Sequence, residues 1–391
     1  MKCELDRLGD YIDILSGYAF KSKDFLDKGV PVIKIKNVTP PNVSLNDLSY
    51  VSLELAKKAE KYVLEYDDVL IAMTGSHINQ WTSVVGRVAR VKYSGISLLN
   101  QRVGKILIKD FSKVDIDYIY YLLSQNSIIK ELASKAGGAA NQANINPSDI
   151  KELSVPRRDL QIQKKIGSIL RKYDDLIENN QKQIKLLEEA VQRLYKEWFV
   201  DLRFPGHDNV KIVDGVPEGW SKTVLGALAP FRRGTTITKS KLIKGKVPVI
   251  AGGLEPAYFH NKANTVAPVI TVSASGANAG HTLYHNRNVF ASDCSFIDAS
   301  ITEKTCYIYC FLKHYNQTIR NLQKGSAQPH VYAKDLNELS IFMPDKWILD
   351  KFVEYANCIF DKIESLRKCV ESLQEARDRL LPKLMSGEIE V

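Results

Sequence analysis

The side chains best suited to chemistry are amides, imidazoles and cations gathered in short turn-rich stretches. Residues 75–81 follow an apolar run and carry Ser76, His77, Asn79 and Gln80. Asn100, Gln101 and Arg102 form a second group, Asn278 and His281 a third within residues 275–281, and Gln328 and His330 a fourth. Asn and Gln bond adenine bidentately, Arg suits guanine, and His reads base edges, so these residue types fit nucleic-acid recognition. The alternative is ordinary turn formation. Cations cluster beside them. Arg232, Arg233, Lys239, Lys241, Lys244 and Lys246 fall close together, and Lys21, Lys23, Lys34 and Lys36 occupy an earlier, similar segment. Such clusters neutralise phosphates or form a solvated basic face. Trp81 reads as a packing residue, and Trp198 and Phe199 as closing a helix pair.

Signatures of bond-making chemistry are missing. An adenine methyltransferase holds its flipped base with an (Asn/Asp)-Pro-Pro-(Phe/Tyr) loop. The nearest string, Asn146-Pro147-Ser148-Asp149, lacks the second proline and the aromatic. No Walker-type phosphate loop and no H-E-x-x-H occurs. Asp345 is not followed by the carboxylate–lysine pattern of a metal-dependent nuclease. Cys3, Cys294, Cys306, Cys310, Cys358 and Cys369 form no C-x-x-C pair. They read as reduced, mostly buried thiols with no metal site. The chain is expected to bind no cofactor itself.

The 391 residues carry a formal net charge of +9, which favours polyanionic partners. No apolar run is long enough to span a bilayer, and the first residues lack the apolar core of a signal peptide, so a cytoplasmic protein is expected.

What positions the candidate residues is an internal repeat. Leu8-Gly9, Gly17 and residues 30–33 (Val-Pro-Val-Ile) recur at a shift of 217 as Leu225-Gly226, Gly234 and residues 247–250. The shift then falls to 201, aligning residues 69–75 with 270–276. It falls again to 186, aligning Asp149, Leu153, Asp175, Glu178, Arg193 and Leu194 with Asp335, Leu339, Asp361, Glu364, Arg379 and Leu380. The first copy therefore holds roughly 31 extra residues in its globular part, where loops absorb length cheaply. Strands are predicted at 30–35, 69–73 and 84–91, with counterparts at 247–251, 269–273 and 282–284. Helices are predicted over 117–136 and 304–323. A strand at 153–156 or 339–344 then leads into a long helix.

Each long helix has one apolar stripe with spacings of three and four. Ile166, Ile169, Tyr173, Leu176, Leu187 and Leu194 lie on the first, and Ile359, Ile363, Leu366, Leu373 and Leu380 on the second. This suits coiled-coil packing of two helices, antiparallel, with one globular domain at each end. The division is a first domain 1–156, a first helix 157–200, a turn-rich linker 201–220, a second domain 221–344, and a second helix with the C-terminal end, 345–391.

Over essentially its whole length the chain resembles the specificity subunits of type I restriction–modification systems. Three stretches carry the likeness besides the plan. They are residues 198–206 with 216–220 at the linker, Asn144-Ile145-Asn146 through Val155-Pro156 at the exit of a domain, and residues 380–387 at the C-terminal helix end. The turns at 156–163 and 344–347 depart from the family's proline-rich, Glu-Gln-containing form. The resemblance implies α/β (α+β) target recognition domains, duplicated and joined by two long antiparallel coiled-coil-like helices. It implies a non-catalytic chain that binds double-stranded DNA, each domain reading half of a bipartite asymmetric site. It further implies two modification subunits that methylate adenine with S-adenosylmethionine, and restriction subunits that cleave with ATP and magnesium. Half-sites on one DNA face would leave an unread gap of roughly 5–8 bp. Three other readings remain: a related bipartite system with a fused methyltransferase–nuclease partner, a single-chain DNA methyltransferase, and a coiled-coil spacer unrelated to DNA.

Overall fold

The computed structural model describes residues 4–137, 142–325 and 328–391. Its contacts divide the chain into two units, Met1–Ile177 with Ser372–Val391, and Glu178–Glu371. Both divisions fall inside the long helices, Leu160–Phe199 and Lys346–Ser386. Cys3 lies outside the described residues.

In the first unit the chain begins with strand Leu5–Arg7, paired antiparallel with Ser154–Pro156, the last strand before the long helix. Between them lies a six-stranded sheet. Its order is Ile12–Ser16, Val103–Ile108, Val69–Ala72, Val88–Arg90, Asn42–Val43 and Val38–Thr39. Val69–Ala72 is buried at every residue, which is why it reads as an unbroken apolar run rather than an alternating one. A second sheet sets Val30–Ile33 between Ser49–Val51 and Ser97–Leu99, with Val63–Leu64 at its edge. Helix Ile116–Leu123 follows, its N-cap Asp115 carboxylate accepting the Tyr118 N–H at 3.0 Å.

The second unit repeats this wiring. Ser221–Val224 pairs antiparallel with Ser340–Met343. Its sheet runs Arg232–Arg233, Cys294–Asp298, Val269–Ser273 and Thr282–His285. The duplicated Val-Pro-Val-Ile strand, Val247–Ile250, again lies parallel to a short neighbour, Phe290–Ala291, as Val30–Ile33 does to Ser97–Leu99. The extra length of the first copy goes largely into edge elements: strands Val38–Thr39, Asn42–Val43 and Val63–Leu64 and helix Leu53–Lys58.

Several expectations shift. The predicted helix 117–136 is two, Ile116–Leu123 and Asn126–Lys135, because Gln125 adopts an extended backbone. Likewise 304–323 divides into Thr305–His314 and Asn316–Asn321. The strand expected at 84–91 shrinks to Val88–Arg90, because Gly86 turns the chain at positive φ. The linker holds a small hairpin, Ile212–Val213 with Val216–Pro217.

Within each unit the long helices pack antiparallel. In the first, Ile166 and Leu170 share a core with Leu384 and Met385, and Ile169 and Leu380 pack against it. In the second, Val191, Tyr195 and Trp198 share one with Phe352, Phe360 and Ile363, flanked by Leu187, Leu194 and Ile359. Leu366 is buried, and Tyr173 and Leu373 are half-buried. Leu176 departs from the expected stripe and is 50% exposed. Its neighbour Ile177 is buried instead, since spacings of three and four carry the seam through Leu170, Ile177 and Asn180. Trp198 and Phe199 close the helix pair as expected, packed with Phe352 and Tyr307. Cys294, Cys306 and Cys310 are buried, but Cys358 and Cys369 are exposed, Cys369 accepting from the Asn180 side chain of the other long helix at 3.4 Å. Burial pushes the Cys294 and Cys306 thiols up to about 12.

Candidate nucleic-acid interface

Each central strand ends in loops that carry most of the candidate side chains. In the first unit Met73, just past Val69–Ala72, donates its N–H to Arg102 O at 3.0 Å and accepts from Ile145 N–H at 3.0 Å. Ala143–Asn144 pairs with Thr74–Gly75. The loop 76–83, the turn 100–102 and strand Ala143–Asn144 therefore lie together at one end of the sheet. Residues 17–24 start from the same end, since Gly17 N–H donates to Val103 O and Tyr18 N–H to Leu99 O.

The second unit builds this end with equivalent bonds. Ala274 N–H donates to Asp293 O, Val331 N–H to Ala274 O, Gly234 N–H to Cys294 O and Thr235 N–H to Ala291 O. Ser275 bridges His330. Gly17 and Gly234 explain their own duplication. A Cβ there would lie 2.4 Å from Leu99 O or 2.7 Å from Ala291 O, so only glycine lets the chains cross.

The loop 76–83 is braced from within. Ser76 is buried, its hydroxyl donating to Gln80 O at 2.7 Å and lying 2.8 Å from the Ser83 hydroxyl. It shapes the loop and is not free to read DNA, contrary to expectation. Buried Arg87 donates to Thr82 O and Ile35 O. Asn79 and Gln80 stand exposed, His77 is half-buried, and Trp81, expected to pack, is 40% exposed. Gln101 and Arg102 are exposed and Asn100 is half-buried. Lys21 and Lys23 are exposed. Lys34 lies 3.4 Å over the Phe25 ring, and burial lowers its pKa. Lys36 bonds Asp47. These two lysines are partly occupied within their own domain.

In the second unit Arg232, Arg233, Lys239, Lys241, Lys244 and Lys246 are all exposed. Arg233 approaches Asp293 at 3.8 Å. Gln328 is exposed, Asn278 is half-buried, and His330 stacks on Tyr332. His281, expected with Asn278 among the loop side chains, stands apart from them. Its carbonyl accepts from Ser273 N–H as that of Arg87 accepts from Ala72 N–H, so it sits under the loop, matching Arg87. Burial, then Lys313 and Arg320, hold its pKa below the usual imidazole value.

The opposite end of each central strand is a joint to the long helices that sequence reading missed. Arg90, opposite Val69, is 4% exposed. Its guanidinium lies 2.7 Å from Asp117, 3.5 Å from Asp67 and 4.2 Å over the Tyr120 ring. Arg171 of the long helix reaches the same carboxylates at 2.6 and 2.9 Å. Asp174, one turn on, accepts from the Tyr121 hydroxyl at 2.6 Å and pairs with Arg377 at 2.7 Å. Burial alone would raise the Asp67 carboxyl, but bonds from Lys92 and Arg171 and the charge of Arg90 hold it below the usual range. In the second unit Tyr284 stands opposite Ile270 on the matching rung. It stacks on Phe360 at 4.2 Å and Tyr309 at 5.1 Å. Phe360 and Asp174 are separated by the repeat's shift of 186. These joint residues lie far apart in sequence, and helical periodicity carries no sign of ion pairing.

Among the described residues no group of three or more His, Cys, Asp or Glu is placed to hold a metal ion. No described helix is long and apolar enough to cross a membrane.

The sequence matches the type I restriction modification DNA specificity domain family over residues 2–189 and 217–370. Two similar proteins come from Methanocaldococcus jannaschii. The type I restriction enzyme MjaIX specificity subunit is 27% identical over 379 residues, 90% of this chain and 86% of the relative. The putative MjaX specificity subunit is 26% identical over 423 residues, 99% and 94%. The crystal structure of the type I restriction-modification S subunit from M. genitalium shares the fold, with a TM-score of 0.65 at 18% identity, covering 98% of this chain and 96% of that one.

Proposed function

The chain belongs to the type I restriction–modification DNA specificity family, and from that premise we propose that its two loop-bearing strand ends read the two halves of one bipartite double-stranded DNA site. The observation that carries this reading is the duplicated end itself. Both domains project loops from the same backbone bonds, yet one carries Asn79, Gln80 and Arg102 where the other carries Asn278, Asp293 and Gln328. Equivalent frames with different side chains suit two different half-sites. The basic segments 21–23 and 232–246 supply phosphate contacts.

The long helices are the spacer and, with the adjacent domain faces, the docking ground for two modification subunits. Those partners supply adenine-N6 methylation from S-adenosylmethionine. Restriction subunits, where present, supply ATP- and magnesium-dependent cleavage. This chain supplies the choice of sequence.

Methylome sequencing of a host expressing the chain with its modification partner tests the proposal. The expected outcome is an asymmetric bipartite site with an unread gap of roughly 5–8 bp. A continuous palindrome would sink it. Mass measurement of the purified complex checks the stoichiometry, and saturation at one modification subunit would refute the paired docking.

A further inference from the structure

We propose that the residue just before strand Val103–Ile108, and its counterpart just before Cys294–Asp298, selects a base in each half-site: Arg102 takes an acceptor edge and Asp293 a donor edge. The inference rests on the DNA-reading function above and assigns the chemistry of one position in each domain.

The two residues are structural equivalents. Arg102 O accepts from Met73 N–H at 3.0 Å, and Asp293 O from Ala274 N–H at 3.4 Å. The next residues, Val103 and Cys294, accept from Gly17 and Gly234 at 3.2 and 2.8 Å. The backbone is thus pinned on both sides of one site, and the side chains there differ in sign.

Arg102 is exposed and has no ion-pair partner among the described residues. Its guanidinium is free to take the O6 and N7 acceptors of guanine. Asp293 is held. The Ser275 hydroxyl donates to Oδ2 at 2.5 Å, and the Arg233 guanidinium stands 3.8 Å from Oδ1. Its side chain is nevertheless 37% exposed, and a carboxylate has about four acceptor sites, so capacity remains.

Electrostatics narrows the ligand. Asp293 sits on an end carrying Arg232, Arg233, Lys239 and Lys241, which suits phosphates. A carboxylate approaching phosphates is repelled unless it meets a base donor. The major groove offers amino donors at cytosine N4 and adenine N6, and a carboxylate prefers cytosine because adenine's neighbouring N7 acceptor would repel its oxygens. Arg102 therefore selects guanine in one half-site, and Asp293 selects cytosine in the other.

The test uses the complete complex with its modification partner and a panel of duplexes varied one base pair at a time across both half-sites. Asp293→Asn keeps an acceptor for Ser275 but loses the charge. It should cut discrimination for cytosine at one position of the second half-site about tenfold, within the roughly 1–3 kcal/mol of a good base contact. Every other position should be unchanged. Arg102→Gln should do the same for guanine at one position of the first half-site. Ser275→Ala, which frees the carboxylate without removing it, should weaken discrimination at the Asp293 position alone and covers the case of a poorly folded Asp293 variant. Uniform weakening across all duplexes would reduce both residues to structural or general electrostatic roles and overturn the proposal. Uniform tightening by Asp293→Asn, or no change, would also overturn it. Failure of the underlying reading looks different, because the unsubstituted complex would then prefer no gapped site.

Discussion

The two units mount a recognition domain on the long helices at the same rung, one with charges at the centre of the contact and the other with rings. In the first, Arg90, Asp67, Asp117, Arg171, Asp174 and Arg377 make a charged network around Tyr120 and Tyr121. In the second, Tyr284, Tyr309 and Phe360 pack ring against ring at the centre, and the ion pairs of Arg287 with Glu364 and Glu371 lie only at the flank. A buried ion network loses much of its Coulomb gain to desolvation, whereas well-packed rings of similar volume lose none. The duplicated chain thus displays both solutions on one frame. The charged joint offers direction, since each guanidinium fixes specific oxygens. The aromatic joint offers burial. Their responses to substitution and to pH should therefore differ.

The largest effect is expected from Phe360→Ala, which removes a ring 4% exposed from the stack. The second unit should lose about 3–5 kcal/mol, the usual cost of truncating a core aromatic. Hydrogen exchange at strand Val269–Ser273 should report it while Val69–Ala72 stays protected. Equal loss at both strands would show that the joints are not independent.

Acid should separate the units next. His285, on the strand edge beside the aromatic joint, is held down to about 4 by burial and by Arg367 and Arg287. Its folded value is depressed, so its contribution is present above the unfolded value of about 6.5 and is lost as pH falls from there to about 4. The span corresponds to about 3 kcal/mol. Asp67 is also depressed, but from the carboxylate value of 3.8, so the first unit keeps its contribution until the pH falls below that. The second unit should therefore weaken first on acidification, measured by exchange corrected for intrinsic rates. His285→Gln should shrink that window to the contributions of His281 and His314, whose values burial also lowers. A first unit that weakened first between pH 6.5 and 4 would overturn the contrast between the two joints.

The smallest effect is expected at Arg90→Leu. Asp67 and Asp117 would retain Arg171, and Asp67 also Lys92, so the loss should stay near 2 kcal/mol rather than the larger penalty of an abandoned charge. Denaturant unfolding of the full chain, read through the first unit's exchange, checks it. A loss as large as that of Phe360→Ala would mean that Arg90 carries the joint alone.

Much of this architecture was legible. The duplicated Val-Pro-Val-Ile pair marked equivalent strands because a parallel neighbour buries both faces, and the three-and-four stripes marked the long helices. Gly17 and Gly234 were visible as repeats, though the carbonyls they make room for come from a distant strand end that the sequence does not place beside them. Residues whose role depends on distant partners stayed hidden. Arg90, Asp117 and Arg171 are ordinary charges until the fold gathers them. Asp293 was missed because an acid is not sought on a basic surface. His281 sits beyond its loop because the second copy's loop is shorter between the strand end and the turning glycine, Gly280 against Gly86 in the first.

The strand pairs Leu5–Arg7 with Ser154–Pro156, and Ser221–Val224 with Ser340–Met343, bring the chain into and out of each domain at adjacent points. Whatever lies between those points is a closed excursion. Its length and contents can change without moving the helix that follows, which is how one copy carries extra edge strands and a helix that the other lacks. The same geometry makes each domain exchangeable as a block. A genetic crossover on either side of the strand pair would transplant a foreign reading surface intact onto these helices, and a new half-site would arrive in one step rather than by accumulated substitutions.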